Sequence, residues 1–271
     1  MSYSKIISIH GVPRSGTSWL GQIIDSCPDV RYKYQPLFSY AFKDRLWVRS
    51  SDEEIERFFR ELYEHSDDFL DQKEQVRHGS YPRFYQKQEN PTFLALKEVR
   101  YHYLMPRLLQ SQEGIKIVAI VRNPCGVLNS WKNAPKEFLH NWDFNEEWRF
   151  AQSKNQFRPE EYFGFHKWIE YTKMVMELEK TYPERCKLVR YEELVMDPEK
   201  SSRNIFSFCG LDWSQQTEKF LQISTSVTVA DTYSVFREKK DVDDWRASLP
   251  DKVVQAVYNE LKNTEFEKFL N

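Results

Sequence analysis

The sequence predicts an α/β protein in which helices cover both faces of a mainly parallel β-sheet, an αβα arrangement of three layers. Five short segments that can form strands alternate with segments of helical periodicity, which is the pattern of consecutive βαβ units. The first run contains Ile6, Ile7 and Ile9 and leads through a glycine loop directly into a helical pattern. The predicted strands are centred near residues 6, 31, 94, 118 and 188.

Length and composition limit the classes of protein that fit. The 271 residues contain no Ser/Gly linker, so we expect one domain over 1–271. The net charge of −2 argues against nucleic acid as the main partner. Four scattered cysteines make neither a disulfide framework nor a metal pattern. The longest apolar run, Ile115 to Val121, is too short to span a bilayer, and no signal peptide precedes the first strand.

The loop after the first strand is typical of a phosphate-binding site. Gly11 and Gly16 have P-loop spacing, and a helical pattern follows at once. Such a loop gathers backbone N–H groups that have no helical partner, and the helix dipole adds positive potential. The residue after the second glycine is Thr17, where a nucleoside triphosphatase carries lysine, and the nearest cation is Arg14. The sequence therefore predicts an anion site with unusual chemistry.

The segment Gly-Val-Pro-Arg-Ser-Gly-Thr-Ser-Trp-Leu resembles the 5′-phosphosulfate loop of sulfotransferases that use 3′-phosphoadenosine 5′-phosphosulfate (PAPS). The resemblance covers about residues 5 to 249 and is to soluble, cytoplasmic, bacterial-type relatives, because Golgi members carry an anchor and stem before this loop. It implies that Arg14 also contacts the bridging oxygen of the donor. The residues that it assigns to the 5′-phosphate are Arg14, Ser15, Gly16, Thr17 and Ser18.

The strand Ile115 to Val121 ends in Arg122, where a triphosphatase usually has a magnesium-binding aspartate. Arg122 and Ser130 are similar to the 3′-phosphate signature of the same family, and an arginine can fork onto a phosphate with two charge-assisted hydrogen bonds. The resemblance also implies that Tyr191 lies by the adenine. Trp245 and Arg246 resemble the family's C-terminal Trp-Arg segment. Arg237 lies in a basic stretch just before them and is expected to cover the 3′-phosphate.

The strand Thr92 to Leu96 leads into Lys97, which faces the crevice where parallel sheets bind ligands. The resemblance implies that Lys97 contacts the transferring group, so Lys97 and Arg14 are the predicted catalytic residues. Gln35 stands where related branches place a glutamate near the acceptor, and an amide takes no proton at a useful pH. The general base stays open. Candidates by residue type are Glu98, His102 and His140.

Longer segments between the strands are predicted to build the acceptor side. Two helices are expected over Phe38 to Phe69, and one long helix over Glu160 to Tyr182. The aromatic segment 135–168 is predicted to be an acceptor-side insertion, although most of its rings should be core. Two polar stretches, 72–91 and 227–244, have no clear periodicity and are expected to be loops near the site.

The predicted reaction is in-line transfer of a sulfuryl group from PAPS to a hydroxyl or amine of a small-molecule or carbohydrate acceptor, leaving adenosine 3′,5′-bisphosphate (PAP). Positioning and fixed cations can drive this without a metal ion. Two alternatives stay open at this stage. A P-loop nucleotide kinase would depend on magnesium, and a non-catalytic nucleotide-binding module would bind PAPS without transfer. The acceptor and the oligomeric state are undetermined.

Overall fold

The computed structural model of the protein describes residues 3–236, 238 and 242–270. Its strands are β1 (Lys5–His10), β2 (Val30–Tyr34), β3 (Phe93–Glu98), β4 (Ile115–Val121) and β5 (Cys186–Arg190). They pair in parallel in one sheet of order β2-β3-β1-β4-β5. Because β1 is central and the later strands are added on both sides of it, a crevice opens at its carboxyl end, where such sheets bind ligands.

Helices connect the strands and cover both faces of the sheet. The first six are α1 (Thr17–Asp25), α2 (Asp52–Glu64), α3 (Lys73–Arg77), α4 (Met105–Ser111), α5 (Pro124–Lys132) and α6 (Phe144–Phe150). The next six are α7 (Gln152–Asn155), α8 (Phe165–Thr181), α9 (Tyr191–Met196), α10 (Pro198–Cys209), α11 (Gln215–Ser226) and α12 (Asp251–Leu261).

Alternation along β1 divides the apolar interior between the two faces of the sheet. Ile6 belongs to a core that includes α2, α4, α5, α8 and α12, whereas Ile7 and Ile9 belong to a second core with α1, α10 and α11. The predicted three-layer α/β fold is therefore confirmed. The rings of Phe163 and Trp168 are buried in the first core, as the sequence predicts for most aromatics of this region.

The segment from Phe38 to Phe69 contains one α-helix, α2, so the prediction of two helices is wrong. A capping box fixes where α2 begins: Glu54 N–H donates to the Ser51 hydroxyl, and Ser51 N–H donates to the Glu54 carboxylate at 2.7 Å. Between β2 and Ser51 the chain forms one 3₁₀ turn, Pro36–Phe38, and otherwise irregular turns.

The predicted long helix is shorter than expected, because α8 begins at Phe165 after Gly164, whose φ is +87°. A left-handed or otherwise positive φ interrupts a right-handed helix, and glycine adopts it without steric cost. The predicted loop 72–91 contains the short helix α3, so it is not wholly irregular. Its second half, from residue 78 to 91, has no helix or strand.

Candidate active site

The loop between β1 and α1 leaves the helix end open to an anion. Gly16 precedes α1 with a φ of +89°, makes no side-chain cap, and is followed by a first turn without acidic residues. The unpaired N–H groups and the helix dipole therefore attract negative charge. The Ser15 hydroxyl is buried and has no hydrogen-bond partner among the described residues. A phosphate oxygen at this loop would satisfy it.

Arg122, at the end of β4, is stacked beside this loop. Its guanidinium lies 4.5 Å from the centroid of the Tyr191 ring, and its Nη1 donates a 3.1 Å hydrogen bond to the carbonyl of Arg14. A Cβ atom at Gly16 would lie 2.6 Å from two carbons of the Tyr191 ring, so glycine is what allows this packing. Gly126 likewise leaves room for the Arg122 side chain, because a Cβ atom added at Gly126 would lie 2.9 Å from Nε of Arg122.

Arg14 joins the loop to α5, the helix that follows the neighbouring strand β4. Its Nε donates a 3.1 Å hydrogen bond to the Ser130 hydroxyl in α5, and its Nη2 donates to the carbonyl of Thr232 at 3.1 Å. Its guanidinium also lies 5.2 Å from the centroid of the Tyr233 ring. The backbone of Arg14 has a φ of +73°, an uncommon conformation for a residue with a side chain. Three predicted residues, Arg14, Arg122 and Ser130, thus meet in one cluster.

Lys97 lies at the carboxyl end of β3, next to α1. Its ammonium group is 3.4 Å from the Ser18 hydroxyl and 4.3 Å from the centroid of the Tyr34 ring. The side chain is only 2% exposed, and this burial lowers the pKa of Lys97 to about 7. Neighbouring carboxylates oppose the shift without cancelling it. The predicted catalytic lysine is therefore close to the loop, and its burial disfavours the charged form.

The polar stretches 72–91 and 227–236 contact each other beside this cluster. The Ser80 hydroxyl donates to the Asp231 carboxylate at 2.7 Å, and Val235 N–H donates to the carbonyl of Ser80 at 3.1 Å. The next residue, Tyr81, is buried with its hydroxyl by the Ser18 side chain, and burial raises its pKa. Arg237, predicted to cover the 3′-phosphate, lies outside the described residues.

Gln35 begins a second polar network on the side of β3 nearest β2. Its side-chain carbonyl accepts a 2.9 Å hydrogen bond from Arg100, whose Nε donates to the Glu161 carboxylate, also at 2.9 Å. The Arg100 guanidinium lies 4.2 Å from the centroid of the Phe38 ring, and that ring is 45% exposed. Gln35 therefore orients an arginine beside an exposed aromatic face, and its own N–H donates a 2.8 Å hydrogen bond to the carbonyl of Lys97.

The residues considered as a general base differ in their surroundings. Glu98 is buried and accepts a 3.0 Å hydrogen bond from Leu37 N–H, and burial raises its pKa to about 8. His102 is buried with its Nδ1 3.0 Å from Nδ1 of His10, and burial lowers the pKa of both rings. His140 is exposed. Neither of the buried histidines is placed to exchange protons with solvent.

Glu137 and Tyr233 contact the cluster but carry no sequence signal that marks them. The Glu137 carboxylate lies 3.6 Å from Nη1 of Arg14, and the Tyr233 hydroxyl accepts a 2.9 Å hydrogen bond from Lys136 N–H. Both residues lie in segments without periodicity, so sequence reasoning missed them. In the sequence, Glu137 follows the predicted site residue Ser130 by seven positions, and Tyr233 precedes the predicted site residue Arg237 by four. This closeness in sequence is the one hint that the sequence offers.

Neither a metal centre nor a membrane helix accompanies this site in the part of the chain that the structure describes. No group of three or more His, Cys, Asp or Glu side chains there could hold a metal ion. No helix there combines the length and apolar composition needed to cross a bilayer. The four cysteines are buried free thiols, and burial raises the pKa of Cys125 and of Cys209 to about 12.

The fold and this site define an α/β protein with a P-loop-like anion site that has arginine where nucleotide kinases have other residues. The chain belongs to the sulfotransferase family, because the model of that family matches residues 7–215. Mouse sulfotransferase SULT7A1, solved in complex with PAP, superposes with a TM-score of 0.58 at 18% identity, covering 98% of this chain and 87% of that one. This likeness supports the fold.

Relatives by sequence come from two branches of the family. Mouse carbohydrate sulfotransferase 3 is 28% identical over 174 residues, which is 60% of this chain and 36% of that protein. A Caenorhabditis briggsae protein provisionally assigned as a protein-tyrosine sulfotransferase is 24% identical over 229 residues, 79% of this chain and 69% of that protein. The chain thus spans about a third of the length of the carbohydrate sulfotransferase that it matches.

Proposed function

We propose that this protein transfers a sulfuryl group from PAPS to a hydroxyl or amine of a small-molecule or carbohydrate acceptor. The observation that carries the proposal is the cluster of Arg14, Arg122 and Ser130 beside the open N-terminus of α1. One anion site at a helix end serves any phosphate, whereas this cluster adds a second cationic site at the end of β4. PAPS carries phosphate groups at both its 5′ and 3′ positions.

The residues present fit such a donor. The backbone N–H groups from Gly16 to Ser18 and the unpartnered hydroxyl of Ser15 would hold the 5′-phosphosulfate. Arg122 and the Ser130 hydroxyl would hold the 3′-phosphate, and the ring of Tyr191 orients the guanidinium of Arg122. The donor supplies a sulfuryl group on a phosphate leaving group.

Two cations would act on the charge that develops during transfer. Arg14 is held between the loop and α5 and would stabilise the leaving oxygen. Lys97 is held at the end of β3 by Ser18 and would bind the sulfuryl oxygens. Because both are fixed before the substrate arrives, little reorganisation is needed at the moment of reaction. The acceptor would enter on the side of Gln35 and the segment 135–168, where Arg100 lies over an exposed ring.

The experiment that tests the donor assignment compares PAP with 5′-AMP by calorimetry. We expect the protein to bind PAP at least tenfold more tightly, because losing one charge-assisted contact costs about 1.5–3 kcal/mol. Arg122→Ala should remove the preference. Arg203→Ala, which deletes an exposed arginine paired with Glu199 in α10, should leave it intact. Equal affinities for the two nucleotides in the unmodified protein would refute the assignment.

A screen of acceptors with isotope-labelled PAPS, followed by mass spectrometry, tests the transfer itself. Sulfated product that forms in EDTA would support sulfuryl transfer by fixed cations. Activity that requires magnesium would support a nucleotide kinase, and tight PAP binding without transfer to any acceptor would support a non-catalytic module. Sugars and phenols both belong in the screen, because relatives from the carbohydrate and tyrosine branches match this chain.

A further inference from the structure

Glu137 is held rigidly in the turn that follows α5. Its N–H donates a 2.8 Å hydrogen bond to the carbonyl of Ala134, and its own carbonyl accepts a 3.1 Å hydrogen bond from Nε1 of Trp131. Trp131 is a fully buried core residue and directly follows Ser130. The same helix end therefore fixes both Ser130, in the arginine cluster, and Glu137. This kind of support from the core is what a catalytic group needs.

The carboxylate of Glu137 points at the cluster but is not fully used there. Its Oε2 lies 3.6 Å from Nη1 of Arg14, beyond ordinary hydrogen-bond length, and this buried oxygen has no hydrogen-bond partner among the described residues. Arg14 itself is held by Ser130 and by the carbonyl of Thr232. A carboxylate placed only to hold Arg14 would be expected to take one of these hydrogen bonds. The free lone pair of Glu137 is left for another proton.

This carboxylate lies near the residues that are predicted to act on the sulfuryl group. Its charge acts on groups from separate parts of the chain that surround the predicted transfer site: Arg14, Tyr34, Lys97, Lys154 and Tyr233. Lys97 and Arg14 are the two cations assigned to the sulfuryl group and the leaving oxygen. A carboxylate that contacts Arg14 and acts on the charge of Lys97 is the kind of base that an attacking hydroxyl or amine needs.

We propose that Glu137 is the general base that accepts the proton of the attacking acceptor group, an inference that rests on the proposed sulfuryl transfer. As the acceptor oxygen or nitrogen forms a bond to sulfur, the sulfur–oxygen bond to the phosphate breaks and its electron pair leaves with PAP. The acceptor's proton passes to the carboxylate of Glu137. The side chain of Glu137 is 24% exposed, so the proton can then pass to solvent.

Other candidates in the site are less suited to this role. Gln35 takes no proton and is bonded to Arg100. Glu98 is only 1% exposed, burial raises its pKa to about 8, and one of its oxygens accepts a hydrogen bond from Leu37 N–H. His102 is buried against His10, away from solvent. Glu137 combines an open lone pair, partial exposure and contact with the arginine cluster.

The test compares Glu137→Gln with a matched control, Glu146→Gln, an exposed residue in the first turn of α6. We measure kcat and its pH profile with an acceptor found in the screen, the dissociation constant of PAP, and the thermal unfolding midpoint. For Glu137→Gln we expect a fall in kcat on the order of 100-fold or more, the usual scale for general base catalysis, and loss of the acidic limb of the kcat profile. The PAP affinity should stay within about threefold.

Glu137→Asp provides the second variant, because it keeps the carboxylate but shortens its reach. It should lose less kcat than Glu137→Gln and retain the acidic limb. If Glu137→Gln leaves kcat unchanged and binds PAP more tightly, Glu137 is a counter-ion for Arg14 and the proposal is overturned. Equal falls in kcat for the Asp and Gln variants, both with an acidic limb, would also overturn it. If the unmodified protein neither prefers PAP nor transfers sulfate, the proposed function fails instead.

Discussion

Replacing Gly16 with alanine tests the packing on which the donor site depends. The φ of +89° at this position is left-handed, and an L-residue there costs about 1–2 kcal/mol. The added Cβ would also lie 2.6 Å from Cδ2 and Cε2 of Tyr191, closer than real Cβ contacts allow. Gly79→Ala is the matched control, since Gly79 has a φ of +74° but no atom within 4 Å of an added Cβ.

The difference between the two variants measures the collision with the Tyr191 ring. Overpacking of this kind costs about 1–3 kcal/mol, so Gly16→Ala should lose about 2–5 kcal/mol of stability, against about 1–2 kcal/mol for Gly79→Ala. Tyr191 also supports Arg122 at 4.5 Å, so a displaced ring carries the guanidinium with it. We therefore expect Gly16→Ala to weaken PAP binding at least tenfold and Gly79→Ala to leave it unchanged.

Urea unfolding and calorimetry with PAP on four variants complete this test. Adding Tyr191→Ala to Gly16→Ala removes the ring that the new Cβ meets, so the double variant should recover stability relative to the sum of the single changes. The coupling should be at least about 1 kcal/mol, the scale found for residues in contact. Equal stability losses in Gly16→Ala and Gly79→Ala, with no coupling to Tyr191, would refute this account of the loop.

Two further predictions follow from the site and the fold. Burial lowers the pKa of Lys97 to about 7, so its ammonium form is lost as pH rises through 7, and kcat/KM for the donor should fall on the alkaline side. In Lys97→Arg, which stays charged, that fall should disappear. A pH profile that is the same in the variant and the unmodified protein would contradict the assignment. Ser51→Ala removes the α2 cap and should lower the free energy of unfolding by about 1 kcal/mol in urea, while PAP binding stays normal. An unchanged unfolding midpoint would show that the capping box does not stabilise the protein.

The strands and the central pair of arginines were predictable because local patterns decide them. The central strands β1, β3 and β4 are short, mainly apolar runs, and the carboxyl ends of parallel strands must meet at one edge of the sheet. Residues that follow β1 and β4, such as Arg14, Arg122 and Ser130, are therefore brought together by topology alone. The sequence of the glycine loop also predicts that the backbone N–H groups at the start of α1 have no side-chain cap, because this geometry depends only on neighbouring residues.

Glu137, Tyr233 and Tyr81 were not predictable, because tertiary contacts position them. The turn that carries Glu137 is set by a hydrogen bond from the buried ring of Trp131. Tyr233 is placed by the hydrogen bonds that join its stretch to Ser80. These segments have no periodicity that links residue spacing to a surface. The extent of α8 was misjudged for a related reason, because the positive φ at Gly164 is a property of the folded chain.

The cations of this site differ from the nearby Arg100 in what holds them. Arg100 is paired with the Glu161 carboxylate at 2.9 Å, so its charge is largely neutralised where it lies. Arg14, Arg122 and Lys97 are instead oriented by hydroxyls, carbonyls and aromatic rings, which fix their direction without cancelling their charge. At an effective dielectric constant of about 20, one unneutralised charge 4 Å from an anion is worth about 4 kcal/mol.

A site built from such neutral supports keeps its positive potential until an anion arrives, and it need not break an ion pair to bind one. The partial exception is Glu137, whose contact with Arg14 is longer than a hydrogen bond. A carboxylate there lowers the affinity of the site for an anionic donor. Its presence so close to the cluster is therefore best explained by a role in the reaction, and Gln35, an amide bonded to Arg100, cannot take that role.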